Sequence, residues 1–171
     1  LPALRFIAHY HDEPGYLDAL AESIRDARRE QPGERVLLSF HGLPQRNLLA
    51  GDPYHCHCQK TARLVAERLE LRPEQWAVAF QSRFGRAEWL QPYTQPTLEE
   101  MARNGTRHVD LICPGFTSDC LETLEEIAME CKAAFLAHGG QAFNYVPCLN
   151  DRPDFIQALV GIVRRHLGGW D

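Results

Sequence analysis

Three stretches of this sequence combine residue types that could move protons, hold a cation or grip an anion. Ser39-Phe40-His41-Gly42-Leu43-Pro44 ends an apolar run on a histidine, then turns on Gly and Pro. Imidazole is the side chain suited to exchanging protons near neutral pH, so His41 is a candidate base. Phe80-Gln81-Ser82-Arg83-Phe84-Gly85-Arg86-Ala87-Glu88-Trp89 gathers two arginines, a glycine and aromatics in one segment. Arginine makes fork-like bonds to carboxylates, which makes Arg83 and Arg86 candidates for an acidic ligand. The third stretch runs from Pro114 to Glu130 and places Glu122, Glu126 and Glu130 at every fourth position. On a helix that spacing lines one face. A solvated face explains it, and so does a path of oxygen ligands for a cation or for departing protons.

A fourth stretch, His55-Cys56-His57-Cys58, looks like a metal site but has poor spacing for one. Structural zinc prefers cysteine pairs two to four residues apart with a second pair elsewhere. No second close pair exists among the six cysteines, Cys56, Cys58, Cys113, Cys120, Cys131 and Cys148. A helix entry at the surface is the simpler reading. The chain shows no secretory signal, so the cysteines are expected to be reduced thiols of a cytosolic protein.

These stretches need elements to position them. Short apolar runs alternate with longer amphipathic ones. Strands are predicted at Leu4–Tyr10, Val36–Phe40, Trp76–Phe80, His108–Cys113 and Phe143–Val146. Helices are predicted from Pro14 to about Arg29, His55–Leu69, Thr97–Asn104, Ser118–Ala137 and from Asp151 to Leu167. Ser118 or Asp119 is expected to cap the fourth of these. Regular alternation with helical crossovers predicts an α/β fold of three layers, a parallel sheet with helices on both faces. In such a fold ligands bind beyond the carboxyl ends of the strands, where the three stretches fall.

Composition sets the bounds. The chain has 171 residues, 44% of them hydrophobic and 24% charged, enough for one domain with a real core. The formal net charge of -5 argues against a nucleic-acid partner. No apolar run approaches the roughly 20 residues that span a bilayer. The start at Leu1-Pro2-Ala3, without Met, suggests a piece cut from a longer protein.

Together the motifs resemble ferrochelatase, the family that inserts ferrous iron into protoporphyrin IX to make protohaem. Ser39-Phe40-His41-Gly42-Leu43-Pro44 is similar to its catalytic-histidine segment, and Phe80-Gln81-Ser82-Arg83 with Trp89 to its Gln-Ser segment. Cys113-Pro114-Gly115-Phe116 through Asp119-Cys120-Leu121-Glu122-Thr123-Leu124-Glu125-Glu126-Ile127 is similar to the signature that leads into its acidic helix. The resemblance covers the whole chain and matches the second half of the family's usual length. It implies a Rossmann-like, chelatase-type domain over residues 1–171, with an N-terminal domain absent.

By the same resemblance His41 is the catalytic histidine and Glu122 its partner acid. The pair also serves as metal contacts, and Glu126 and Glu130 continue the acidic path. Gln81, Ser82, Arg83 and Trp89 are implied as porphyrin-binding residues. Some relatives carry a second histidine where this chain has Cys120. Some hold a [2Fe-2S] cluster; the cysteine-rich C-terminal extension that ligates it is missing here, so no cluster and no other cofactor is expected. The implied partners are protoporphyrin IX and Fe2+ as substrates, and the absent domain. Peripheral contact with the inner membrane is plausible for so apolar a substrate, and the surface left by the absent domain could support a dimer. A cobalt chelatase and a non-catalytic metal- or haem-binding module are the competing readings.

Overall fold

The computed structural model describes residues 4–169; Leu1-Pro2-Ala3 and Trp170-Asp171, which bracket the predicted domain, lie outside the described residues. Four parallel strands form one sheet: β1 (Arg35–His41), β2 (Trp76–Gln81), β3 (His108–Ile112) and β4 (Ala142–Val146), in the order β2-β1-β3-β4. The helices are α1 (Pro14–Ala27), α2 (Gln45–Leu49), α3 (Tyr54–Arg68), α4 (Thr94–Arg103), α5 (Leu121–Leu124), α6 (Lys132–Ala137) and α7 (Pro153–Leu167).

Alternation along β1 explains the layers. Val36, Leu38 and Phe40 face a core built with Leu17, Leu20 and Ile24 of α1, Ala62 and Val65 of α3 and Phe155 of α7. Leu37 faces the other way, toward Leu98 and Met101 of α4 and Phe135 of α6. A strand covered on both faces must be apolar at successive positions, as Val36-Leu37-Leu38 is.

Two expectations are corrected. Leu4–Tyr10 is not a strand. Leu4 and Phe6 are 73% and 85% exposed, and the segment joins neither edge of the sheet among the described residues. β-type composition makes a strand only where an edge accepts it. The Ser118–Ala137 helix is also interrupted. It begins at Leu121, after Cys120 at the N-cap, and residues Glu126–Cys131 form a π-helical stretch between α5 and α6. Asp119 does not cap it, because its carboxylate is engaged elsewhere. Hydrophobic spacing does not distinguish a π turn from an α turn, so nothing in the pattern announced the change. Helix α2 was not predicted either; it is short and has no buried residue.

The strand order sets the site. From β1 the chain moves to β2 on one side, and from β3 to β4 on the other. The connections leaving the ends of β1 and β3 therefore diverge, and a crevice opens between them.

Candidate functional site

His41 is the last residue of β1, half-buried at that crevice. Its Nδ1 lies 2.7 Å from the carbonyl oxygen of Gly42. A carbonyl only accepts, so Nδ1 carries a proton there, and in the neutral imidazole the lone pair is on Nε2. Trp89 and Phe116 flank the ring at centroid distances of 6.2 and 6.1 Å. The Tyr54 hydroxyl donates to the His41 carbonyl at 2.9 Å, and burial pushes the Tyr54 pKa well up, so it remains a donor.

Gly42 makes this packing possible. A Cβ there would stand 2.9 Å from the Gln81 carbonyl oxygen and 3.0 Å from Trp89 Cε3. The Gly42 N–H donates to that carbonyl at 2.8 Å. The long segment after β2 folds back to meet the turn: Gln45 N–H donates to Glu88 O at 2.9 Å and Leu90 N–H to Leu43 O at 2.8 Å. The Trp89 indole nitrogen is buried without a hydrogen-bond partner.

The Gln-Ser pair faces inward. Gln81, the register partner of His41, is 3% exposed. Its Oε1 accepts from the Ser39 hydroxyl at 2.8 Å and the Cys113 thiol at 3.4 Å, and its Nε2 donates to the Glu122 carbonyl at 2.8 Å. Ser82 donates its N–H and its hydroxyl to the two oxygens of Glu126, at 2.7 and 2.6 Å. Arg83 is exposed and lies 5.1 Å over the Tyr93 ring. Arg86 is exposed as well. A cavity of about 300 Å³ is lined by Ser82, Arg83, Tyr93 and Glu126.

Glu122 is exposed on the first turn of α5. Its carboxyl is held below the usual range, chiefly by a hydrogen bond from Cys120, then by its own backbone, with His41 adding a smaller pull. Glu130 is also exposed, whereas Glu126 is partly covered. The π stretch bears on this row. In an α-helix a four-residue step overshoots a full turn by about 40°. An i→i+5 turn holds more residues, so the same step falls short. The opposite departures keep Glu122, Glu126 and Glu130 nearer one line than an unbroken α-helix would.

Several parts of the site left no trace in the sequence. Asp119 accepts from Asn150 Nδ2 at 2.8 Å, from the Cys148 N–H at 3.2 Å and from the Tyr145 hydroxyl, while Asn150 Oδ1 accepts the Asp119 N–H at 2.9 Å. Burial pushes the Asp119 carboxyl up, but these donors outweigh it and its pKa ends below the ordinary value. This brace ties the loop after β3 to the loop after β4. A second cavity, about 270 Å³, is lined by His9, Tyr10, His11, Phe40, Tyr54, His57 and Gly115. In its wall the His11 and His57 rings stack at 3.7 Å, with His9 5.2 Å from His11 and 5.0 Å from His57.

The His55–Cys58 tetrad is dispersed. It occupies the first two turns of α3, where consecutive side chains diverge by about 100°. His55 stacks on Phe80, His57 on His11, Cys58 is buried and Cys56 is exposed. Among the described residues no group of three or more His, Cys, Asp or Glu side chains is arranged to hold a metal ion. No helix among them is long and apolar enough to cross a membrane.

Comparison with known proteins gives a consistent picture. The family pattern for ferrochelatase matches residues 1–167. The chain is 62% identical to the ferrochelatase of Azoarcus sp. and 60% identical to that of Aromatoleum aromaticum, each match covering 99% of this chain and 47% of the relative. It therefore spans about half the length of the curated relatives it matches. Among solved structures it resembles SirB from Bacillus subtilis with Fe3+, at a TM-score of 0.62 and 14% identity, over 90% of this chain and 54% of that one. It also resembles DR2241 from Deinococcus radiodurans, described as structurally similar to chelatases, at a TM-score of 0.56 and 15% identity, over 87% of this chain and 29% of that one. At such identities these two likenesses speak to the fold alone.

Proposed function

The chain belongs to the ferrochelatase family, and from that premise we propose that it supplies one wall of a site that inserts Fe2+ into protoporphyrin IX to form protohaem. The observation that carries this reading is that Gln81, the register partner of His41, donates to the Glu122 carbonyl, which sets the candidate base and its partner acid at one crevice. Metallation removes two pyrrole protons and delivers a cation to four ring nitrogens. His41 Nε2 is the base facing the macrocycle. Glu122 receives protons or steadies the incoming Fe2+, with His41 as a further contact for the metal. Glu126 and Glu130 continue the path toward solvent. Trp89 beside His41 offers a flat apolar surface to the porphyrin, with Arg83 and Arg86 as partners for its propionates.

The opposite wall comes from the part of the relatives' length that this chain does not span. The setting we infer is the cytoplasmic side of the membrane that carries the porphyrin, with peripheral contact only.

Absorbance assays with Fe2+ or Zn2+ and a soluble porphyrin test the reading. A protein of the relatives' full length carrying this chain is expected to turn over, and the 171-residue chain alone to turn over poorly. Robust insertion by the chain alone would overturn the two-wall part of the proposal.

A further inference from the structure

The buried Gln81 and the Ser82–Glu126 contact deepen the metal-insertion reading and rest on it. Both ends of the Gln81 amide are engaged inside the protein. It ties Ser39 of β1 and Cys113 beyond β3 to the Glu122 carbonyl. Because Gln81 is also the register partner of His41, one side chain links the strand position of the base to the backbone of its partner acid.

Ser82 acts on the next carboxylate. Its backbone lies in the left-handed region, at φ +64°. A non-glycine residue is held there only when its surroundings over-determine it, and such residues cluster at functional sites. In this conformation the N–H and the hydroxyl both reach Glu126, one to each oxygen. A free glutamate samples many rotamers, and two donors on its two oxygens select one.

We infer that Gln81 and Ser82 are positioning residues for metal insertion. They hold Glu122 and Glu126 in place relative to His41, and their effect on the porphyrin is indirect.

The test uses a protein of the relatives' full length carrying this chain, with Zn2+ and a soluble porphyrin. Ser82→Gly keeps the N–H, removes the hydroxyl and relaxes the positive φ, so it is expected to fold. Losing one charge-assisted hydrogen bond should lower kcat about tenfold and raise the metal KM by a similar factor. The porphyrin KM should stay within about twofold. Glu126→Gln should behave alike, and the double variant should be no slower than the slower single variant. Gln81→Met, close to it in length and without a donor for the Glu122 carbonyl, should give the same split. A raised porphyrin KM with unchanged kcat and metal KM would overturn the inference, as would unimpaired insertion by Ser82→Gly. A parent protein that inserts no metal at all would overturn the proposed function together with it.

Discussion

The imidazoles of His11 and His57 lie face to face, 3.7 Å between centroids and 12° from parallel. The contact joins the segment before α1 to α3, beside the Thr61 hydroxyl that donates to His11 O at 2.7 Å and the Lys60–Asp12 pair at 2.6 Å. Two stacked rings at that distance resist carrying charge together.

Acid should therefore loosen this join. Burial lowers the His11 pKa, His57, His9 and Lys60 push the same way, and Asp12 opposes them. A folded-state value below the unfolded one means the unfolded chain binds protons first. Stability should be intact well above the ordinary histidine value of 6.5, start to fall below it, and stop falling once His11 protonates in the folded state. Thermal melts of the chain from pH 8 to 5 read this directly. His11→Phe keeps a ring on His57 and should flatten the acid limb; an unchanged limb would sink the assignment.

Replacing His41 with Ala should leave the fold intact, since the side chain is half-buried at a strand end. In a full-length protein, insertion should fall by about 10²–10⁴-fold, the usual contribution of a positioned base. Near-normal turnover with a normal melting curve would remove His41 from the mechanism.

Gly42→Ala should act through shape. The new methyl meets backbone at 2.9 Å and the Trp89 ring at 3.0 Å, and the backbone oxygen has little room to retreat. A cost of about 1–3 kcal/mol is expected from such overpacking, with a shift in tryptophan fluorescence as Trp89 moves. Denaturant titration with a fluorescence readout tests both.

Thiol reactivity should sort by burial. Cys58, Cys131 and Cys148 are buried with thiols pushed up to about 12, and Cys113 is pushed well above its ordinary value. Thiolate is the reactive form, so the native chain should resist alkylation at these four while the exposed Cys56 reacts quickly. Mass spectrometry after brief iodoacetamide treatment would count them. Rapid labelling of Cys113 in the native state would contradict the fold.

How much of this was legible in the sequence depended on which interactions decide each part. The central strands were legible because burial on both faces forces a continuous apolar run, as at Val36-Leu37-Leu38. The candidate site segments were legible through motif order and through their place after strands. The Leu4–Tyr10 strand failed because composition cannot supply a vacant sheet edge. The Asp119–Asn150 brace and the His9–His11–His57 group were invisible because their members are far apart in sequence and common in type. Gln81 and Ser82 stand out in the sequence as a segment, but their inward lean to the acidic helix is a property of the fold.

The π stretch at Glu126–Cys131 has one further consequence. An i→i+5 bond closes over one more residue than an i→i+4 bond, so the segment carries a surplus residue within an otherwise continuous helix. Deleting one residue there would shorten no loop. It would restore α geometry with little net rotation of upstream against downstream, because the wider turn has already absorbed the roughly 100° that one α-helical residue adds. Ile127, Cys131 and Phe135 could keep their buried face, while the step from Glu126 to Glu130 would shorten from four residues to three. In an alignment a gap inside a helix would look drastic; at this point it would leave the crevice facing the core as before and alter only the local spacing of the acidic row.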